Sequence, residues 1–279
     1  MKIKANAKIN LSLNICGKRE DGYHLIDTVM HSVGLFDELQ IEKAESITVK
    51  CDKYDIKQED NIAYRAAELF FEDYGLLGGV DITIKKNIPF PAGLGGGSAD
   101  AAAVLLALRR LYNADIIDQQ LRQTALKLGA DVPFFINGGC RRAEGIGECL
   151  TDLKPLKNGY IVLAIAEQKP STGEMYRLID SKPYITCDTE KVINAVEKGD
   201  LKDLSQNSAN SFCAVWEQSF VKSALQKCEP LMVSLSGSGP TWFAIFENFN
   251  DANKTAEQLK KQDINCFVTT FKEKAIEFE

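Results

Sequence analysis

The most glycine-dense stretch of the chain is Pro89-Phe90-Pro91-Ala92-Gly93-Leu94-Gly95-Gly96-Gly97-Ser98-Ala99, and it runs straight into an alanine-rich segment with helical spacing. Glycine lets a backbone approach a ligand closely and turn successive N–H groups toward one point. A helix N-terminus behind such a loop adds unpaired donors and the positive end of a dipole, so the construction suits a triphosphate. Glycine alone would suit a surface turn; the flanking prolines and the immediate helix entry weigh against that. Two common phosphate loops are excluded. No Gly-Lys-Ser/Thr occurs for a Walker A pattern, and Gly93-x-Gly95-x-x is followed by Ser98 where a dinucleotide fingerprint needs glycine. A carboxylate stands out next. Asp131 follows Gly129-Ala130 and opens the apolar run Val132-Pro133-Phe134-Phe135-Ile136, a setting that reads either as a turn into a strand or as a functional acid.

These residues need elements to hold them. Ile9, Leu11, Leu13 and Ile15 alternate with Lys8, Asn10, Ser12 and Asn14, which predicts a strand with one buried face and puts Lys8 and Asn10 on the other. Asp21-Gly22 predicts a hairpin-like connection before Tyr23 and His24. Further strands are expected at 38–43, 46–51 and 80–86, with a helix over 61–74 that Gly75 ends. The helix after Ser98 carries Val104, Leu105, Leu108, Leu111 and Tyr112, and a second helix covers 118–128. Residues 131–136 read as a short extended segment, and 160–166 as a buried strand. Ser171-x-x-Glu174 is a capping box opening a short helix that includes Tyr176. Helices at 188–198 and 251–261 and strands at 232–235, 242–246 and 265–271 complete the pattern. Strands and helices mix without a regular βαβα beat, which favours α+β over a doubly wound sheet. Lys154-Pro155 interrupts the pattern, giving an expected division into residues 1–155 and 156–279.

The chain has 279 residues, with 33 Lys+Arg against 39 Asp+Glu and a net charge of −6. Its hydrophobic content of 45% and charged content of 26% exclude disorder and disulfide-stapled miniproteins. An acidic balance with no basic footprint argues against nucleic acid as a partner. There is no apolar run of membrane-spanning length and no leader pattern at the start, so a cytoplasmic protein without a membrane partner is expected. The eight cysteines hold no C-x-x-C and are expected to be mostly buried, reduced thiols. His24 and His31 are the only histidines and have no cysteine or histidine partner at ligand spacing, so no protein metal site is expected.

The glycine loop with its entry, residues 89–102, resembles the ATP-phosphate loop of the GHMP kinases (galactose, homoserine, mevalonate and phosphomevalonate kinases). Three more blocks resemble the same family, in the same order: Ala7-Lys8-Ile9-Asn10-Leu11 with Gly17–His24, then Gly129-Ala130-Asp131-Val132-Pro133-Phe134, then Ser236-Gly237-Ser238-Gly239-Pro240-Thr241. Together they span nearly the whole chain. Within the family they are most similar to the branch whose acceptor is a cytidylyl sugar-alcohol diphosphate, phosphorylated on a tertiary 2-hydroxyl in non-mevalonate isoprenoid precursor synthesis. The resemblance implies a two-domain α+β fold, with a ribosomal protein S5 domain 2-like N-terminal domain, an α/β C-terminal domain and the site in the cleft between them. It implies ATP as phosphoryl donor, with Mg²⁺ as counter-charge on the nucleotide, and a monomer or weak homodimer.

Residue by residue, the resemblance makes Asp131 the catalytic base and Lys8 the catalytic lysine, which would hold Asp131 in its charged form and offset charge on the transferred phosphoryl. Asn10 would orient the acceptor hydroxyl. Tyr23, His24 and Tyr176 match positions that hold the pyrimidine, two rings as a sandwich and the histidine at the base edge; a solvated strand face and core packing are the ordinary fates of these residue types. Three departures stand out. Ala99 replaces the family's second Ser, Glu20 replaces a Pro or Ala in the turn, and of the family's Asn-Asp-Leu-Glu only Asn210 survives in Asn210-Ser211-Phe212-Cys213. Two other readings share parts of this pattern: a homoserine- or mevalonate-type kinase, and a ligand-binding relative without turnover. A nicotinamide oxidoreductase is disfavoured by the failed fingerprint.

Overall fold

A computed structural model of the chain describes residues 1–54, 56–166, 170–216 and 218–279. The first half builds β1 (Lys2–Lys18), β2 (His24–Ala44), β3 (Ile47–Cys51), α1 (Ile62–Tyr74), β4 (Gly79–Lys85), α2 (Gly96–Leu111), α3 (Asp118–Leu128), α4 (Val132–Asn137), β5 (Cys140–Gly145) and β6 (Cys149–Leu153). Its sheet runs β11-β1-β2-β4-β3, where β11 (Ile276–Phe278) is the end of the chain, with β5 on β2 and β6 on β5. At 21 residues β2 is long enough to take two neighbours in turn: residues 26–31 pair with β5 and 38–44 with β4. Four helices cover this sheet, and Phe70, Ile82, Leu105, Leu108, Phe134 and Phe135 fill the space between them.

The second half builds β7 (Tyr160–Ile165), α5 (Thr172–Ile179), α6 (Thr189–Lys198), α7 (Leu201–Asn207), α8 (Phe220–Gln226), β8 (Met232–Leu235), β9 (Thr241–Phe246), α9 (Phe249–Lys260) and β10 (Cys266–Thr270). Its sheet runs β10-β7-β9-β8 around a core with Trp242, Met175, Phe212 and Leu259. The lobes meet over a shared apolar cluster in which Ile9, Leu11 and Val33 of the first pack with Ile161, Val192 and Phe243 of the second.

Three expectations are corrected. The polar face of β1 is not solvated: Asn6, Lys8, Asn10, Ser12 and Asn14 are all buried, as the second lobe and the cleft cover what a lone edge strand would expose to water. Buried polar groups usually find partners, and most of these do, with the Asn6 amide oxygen the exception among the described residues. Asn14 donates to the Cys187 carbonyl and to Thr189 of the second lobe, at 2.9 and 3.1 Å. Residues 132–137 form α4 rather than an extended segment. Pro133 sits in its first turn, where a missing N–H costs nothing and the fixed φ suits a helix. The cysteines are free, yet only Cys140 and Cys266 are buried; Cys16 and Cys149 are exposed. Cys16 falls on the even-numbered face of β1 near its end, beyond the part that the second lobe covers.

Candidate active site

The glycine loop is held where it is by both lobes. The backbone N–H of Lys8 on β1 donates to the Leu94 carbonyl at 2.9 Å, and Ser236 Oγ donates to the Gly93 carbonyl at 2.9 Å. Gly93 and Gly95 have φ near +74° and +73°, a region L side chains rarely adopt. There is no room for a side chain either: a Cβ on Gly93 would lie 2.5 Å from the Ser236 carbonyl oxygen, and one on Gly95 2.6 Å from Phe135 Cζ. Gly95 is the N-cap of α2 and supplies no side-chain cap, so the first N–H groups of the helix are left for a ligand.

Below the loop lies a cavity of about 990 Å³ lined from both lobes. Lys8, Asn10, Tyr23, His24, Asp131, Tyr176 and the loop from Pro89 to Ser98 all reach it; Ala99 is buried behind it. Lys8 is only 4% exposed, and a buried ammonium needs partners. It donates to Asn10 Oδ1 at 2.8 Å and lies 3.5 Å from Asp131 Oδ2. Asp131 occupies the N-cap position of α4 without capping it, which leaves its carboxylate, 43% exposed, turned to Lys8 and the cavity. Asn10 Nδ2 donates to Thr28 Oγ1 at 2.8 Å, and Thr28 donates onward to the Ser12 carbonyl. That chain fixes which end of the Asn10 amide meets Lys8.

At the other end of the cavity the rings are arranged differently from a simple sandwich. Tyr176 stacks on His24 at 4.7 Å and meets Phe212 edge-on at 4.9 Å. Burial, with the Asp131 charge adding to it, pushes the Tyr176 phenol up to about 12. Tyr23 stands at the rim with 61% of its surface exposed and is not stacked on Tyr176. Asn210 lies off the cavity; it is buried and donates to the Leu235 and Gly237 carbonyls at 2.7 and 2.9 Å, bracing the loop that holds Gly93.

Sequence reasoning missed a second charged group on the cavity wall. Lys86 is ion-paired with Asp37 and, at 2.6 Å, with Asp100, and all three are buried. Asp37 also accepts from the N–H groups of Asn87 and Ile88, at 2.6 and 2.8 Å. Burial raises the Asp100 carboxyl to about 7 against the pull of Lys86, and its Oδ1 is buried with no partner among the described residues. A signal was available: Val80, Ile82 and Ile84 face inward on β4, and Lys86 continues that parity. Among the described residues no three carboxylate, thiol or imidazole groups converge at metal spacing. No helix among them is long and apolar enough to cross a membrane.

Residues 61–139 match the model of the GHMP kinase N-terminal domain and residues 192–265 that of the GHMP kinase C-terminal domain. The chain is 42% identical to a 4-diphosphocytidyl-2-C-methyl-D-erythritol kinase of Clostridium novyi (strain NT), over 96% of this chain and 99% of that one. It superposes on a crystal structure of 4-(cytidine 5'-diphospho)-2C-methyl-D-erythritol kinase with a TM-score of 0.82 at 34% identity, covering 97% of this chain and 99% of the other. A homoserine kinase structure from Cytophaga hutchinsonii matches with a TM-score of 0.75 at 18% identity, over 99% and 96% of the two chains, which is likeness of fold alone. The loop, the cleft and these likenesses agree: the chain belongs to the GHMP kinase family.

Proposed function

We propose that the chain transfers the γ-phosphoryl group of ATP to the tertiary 2-hydroxyl of 4-diphosphocytidyl-2-C-methyl-D-erythritol, a step of non-mevalonate isoprenoid precursor synthesis. The observation that carries this reading is likeness to kinases of that name over essentially the full length of both chains. The cleft geometry supports it. Phosphoryl transfer asks mainly for positioning and charge stabilisation, with a group to take the hydroxyl proton. Bound ATP would supply the transferable phosphoryl, and Mg²⁺ carried with it would supply counter-charge.

The chain's own residues do the rest. N–H groups of the loop from Gly93 to Ser98 and of the first turn of α2 hold phosphate oxygens, with Pro89, Phe90, Pro91 and Ala92 shaping the rim and Ala99 backing the turn. Lys8 places a buried positive charge beside Asp131, where negative charge grows as the proton leaves the acceptor. Asp131 takes that proton. Asn10, its amide fixed by Thr28, orients the hydroxyl. His24 reads the pyrimidine edge, and Tyr176 with a rotated Tyr23 encloses the base. Asp131, Asp100 and Ser98 are among the oxygen side chains on the cavity wall whose chemistry would fit Mg²⁺, otherwise held by phosphate and water. We further propose that the lobes are residues 1–155 and 156–279, with β11 lent back to the first sheet, and that the protein is a cytoplasmic monomer or weak homodimer.

The test is ADP release with ATP·Mg²⁺ and three acceptors: the cytidylyl substrate, homoserine and mevalonate. Turnover confined to the cytidylyl substrate is expected. Turnover with either of the others, or nucleotide binding without turnover on any, would overturn the reading.

A further inference from the structure

Asp180 closes α5 at its C-terminal end, where a carboxylate meets the negative pole of the helix dipole and gains nothing from the helix itself. Two partners reach it from the first lobe. Lys18 Nζ lies 2.6 Å from its Oδ2, and His24 Nε2 lies 2.5 Å from its Oδ1. The Lys18 and His24 bonds hold the Asp180 carboxyl below the usual carboxylate range, so it is an anion and only accepts. His24 is clamped from a second direction by the Tyr176 ring stacked on it at 4.7 Å.

We infer that Asp180 is a positioning residue for base recognition: it fixes His24 as the Nε2–H tautomer and leaves the bare Nδ1 as the ring's acceptor in the cavity. This rests on the cytidylyl reading above. The tautomer of a histidine is set by the bond its other nitrogen makes. With Nε2–H committed to a carboxylate, Nδ1 has no partner among the described residues, and the ring that carries its lone pair lines the cavity. A lone pair accepts from the exocyclic amino group of cytosine. Uracil presents a carbonyl oxygen at the same place, and two acceptors facing each other leave both unpaired. Asp180 thereby acts on pyrimidine choice without touching the ligand, and Lys18 acts one step further back by fixing Asp180.

The chain's two histidines make a direct test possible. A long-range ¹H–¹⁵N spectrum at about pH 9, above the ordinary histidine range, should show His24 protonated on Nε2 and His31 on Nδ1. Asp180→Ala should give His24 a mixed-tautomer signature, raise KM for the cytidylyl substrate about tenfold with KM for ATP unchanged, and narrow the preference over the uridylyl analogue. Asp180→Asn keeps an acceptor oxygen and should restore the tautomer and most of the affinity. Lys18→Met removes the other bond on Asp180 and should leave the tautomer in place. A His24 protonated on Nδ1, or an unchanged signature in Asp180→Ala, would overturn the inference. Failure of the cytidylyl substrate in the unaltered protein would count against the function instead, because the spectrum needs no substrate.

Discussion

Lys8 is a charge with little water around it, and the character of the catalytic end follows from that. Its ammonium is tied to Asn10 at 2.8 Å and faces Asp131 at 3.5 Å, so the pair has one buried and one accessible member. On the proposed reading, the accessible one is the group that would meet the acceptor hydroxyl. Removing it while keeping its shape isolates the proton transfer. Asp131→Asn should fold normally, bind ATP as before and lose about 10²–10⁴-fold in kcat, the range general bases supply; single-turnover rates beside calorimetric ATP binding would measure it. A kcat within a few-fold of the original would remove Asp131 from the chemistry. Lys8, Asn10 and Asp131 were legible in the sequence because they lie inside short blocks that resemble a family. Thr28 and Asp180 were not, since each takes its meaning from a partner far along the chain, and the inward parity that Lys86 continues from β4 shows its burial but not its partners. Asp180 pairs with residues 18 and 24, which no local pattern announces.

At the scale of elements, the loop depends on what lies beneath α2. Lys86 at the end of β4, Asp37 on β2 and Asp100 on α2 join three elements in one buried cluster, with Asp37 0% and Asp100 4% exposed. Deleting the one cation leaves two buried carboxylates facing each other. Breaking a buried pair in this way costs about 3–5 kcal/mol, so Lys86→Met should lower the thermal midpoint by roughly 10 °C. Adding Asp100→Asn should recover much of the loss, since the carboxyl that burial already pushes up would no longer need a counter-charge. A double variant as unstable as the single one would show that the cluster is not electrostatic in origin. Element identity itself was mostly readable from periodicity and end signals, such as Asn61 capping α1 and the Ser171–Glu174 box opening α5. Where periodicity misled, as at residues 131–136 and on the polar face of β1, the deciding information was tertiary. A five-residue apolar run has no period to read, and a strand cannot announce that a second lobe will cover its polar side.

For the molecule as a whole, the question is what keeps two lobes in one register so that a loop from the first and α5 from the second share a cavity. β1 runs through both, bridging at Leu13 to Asn210, while Val33 on β2 bridges to Phe271. His31 adds a bond at the crossing point. Fully buried, it donates from Nδ1 to the Ser32 carbonyl and accepts at Nε2, each at 2.9 Å, from the Leu156 N–H in the connection from β6 to β7. A ring that accepts at Nε2 must be neutral, and burial drives its pKa down to about 4. The unfolded chain therefore takes up a proton near the ordinary value of 6.5 that the folded chain refuses until about 4. Stability from this group is complete above pH 6.5 and is lost as the pH falls through the window to 4. At pH 5 the loss comes to about 2 kcal/mol. His31→Gln keeps an acceptor for Leu156 and cannot titrate. Whatever its stability at neutral pH, the gap between it and the unaltered protein should close or reverse by that amount between pH 7.5 and 5. Denaturation midpoints of both proteins at the two pH values would check this. Parallel loss in the two would mean that the acid sensitivity lies elsewhere, and that the lobes are joined at this point by packing rather than by a histidine held neutral.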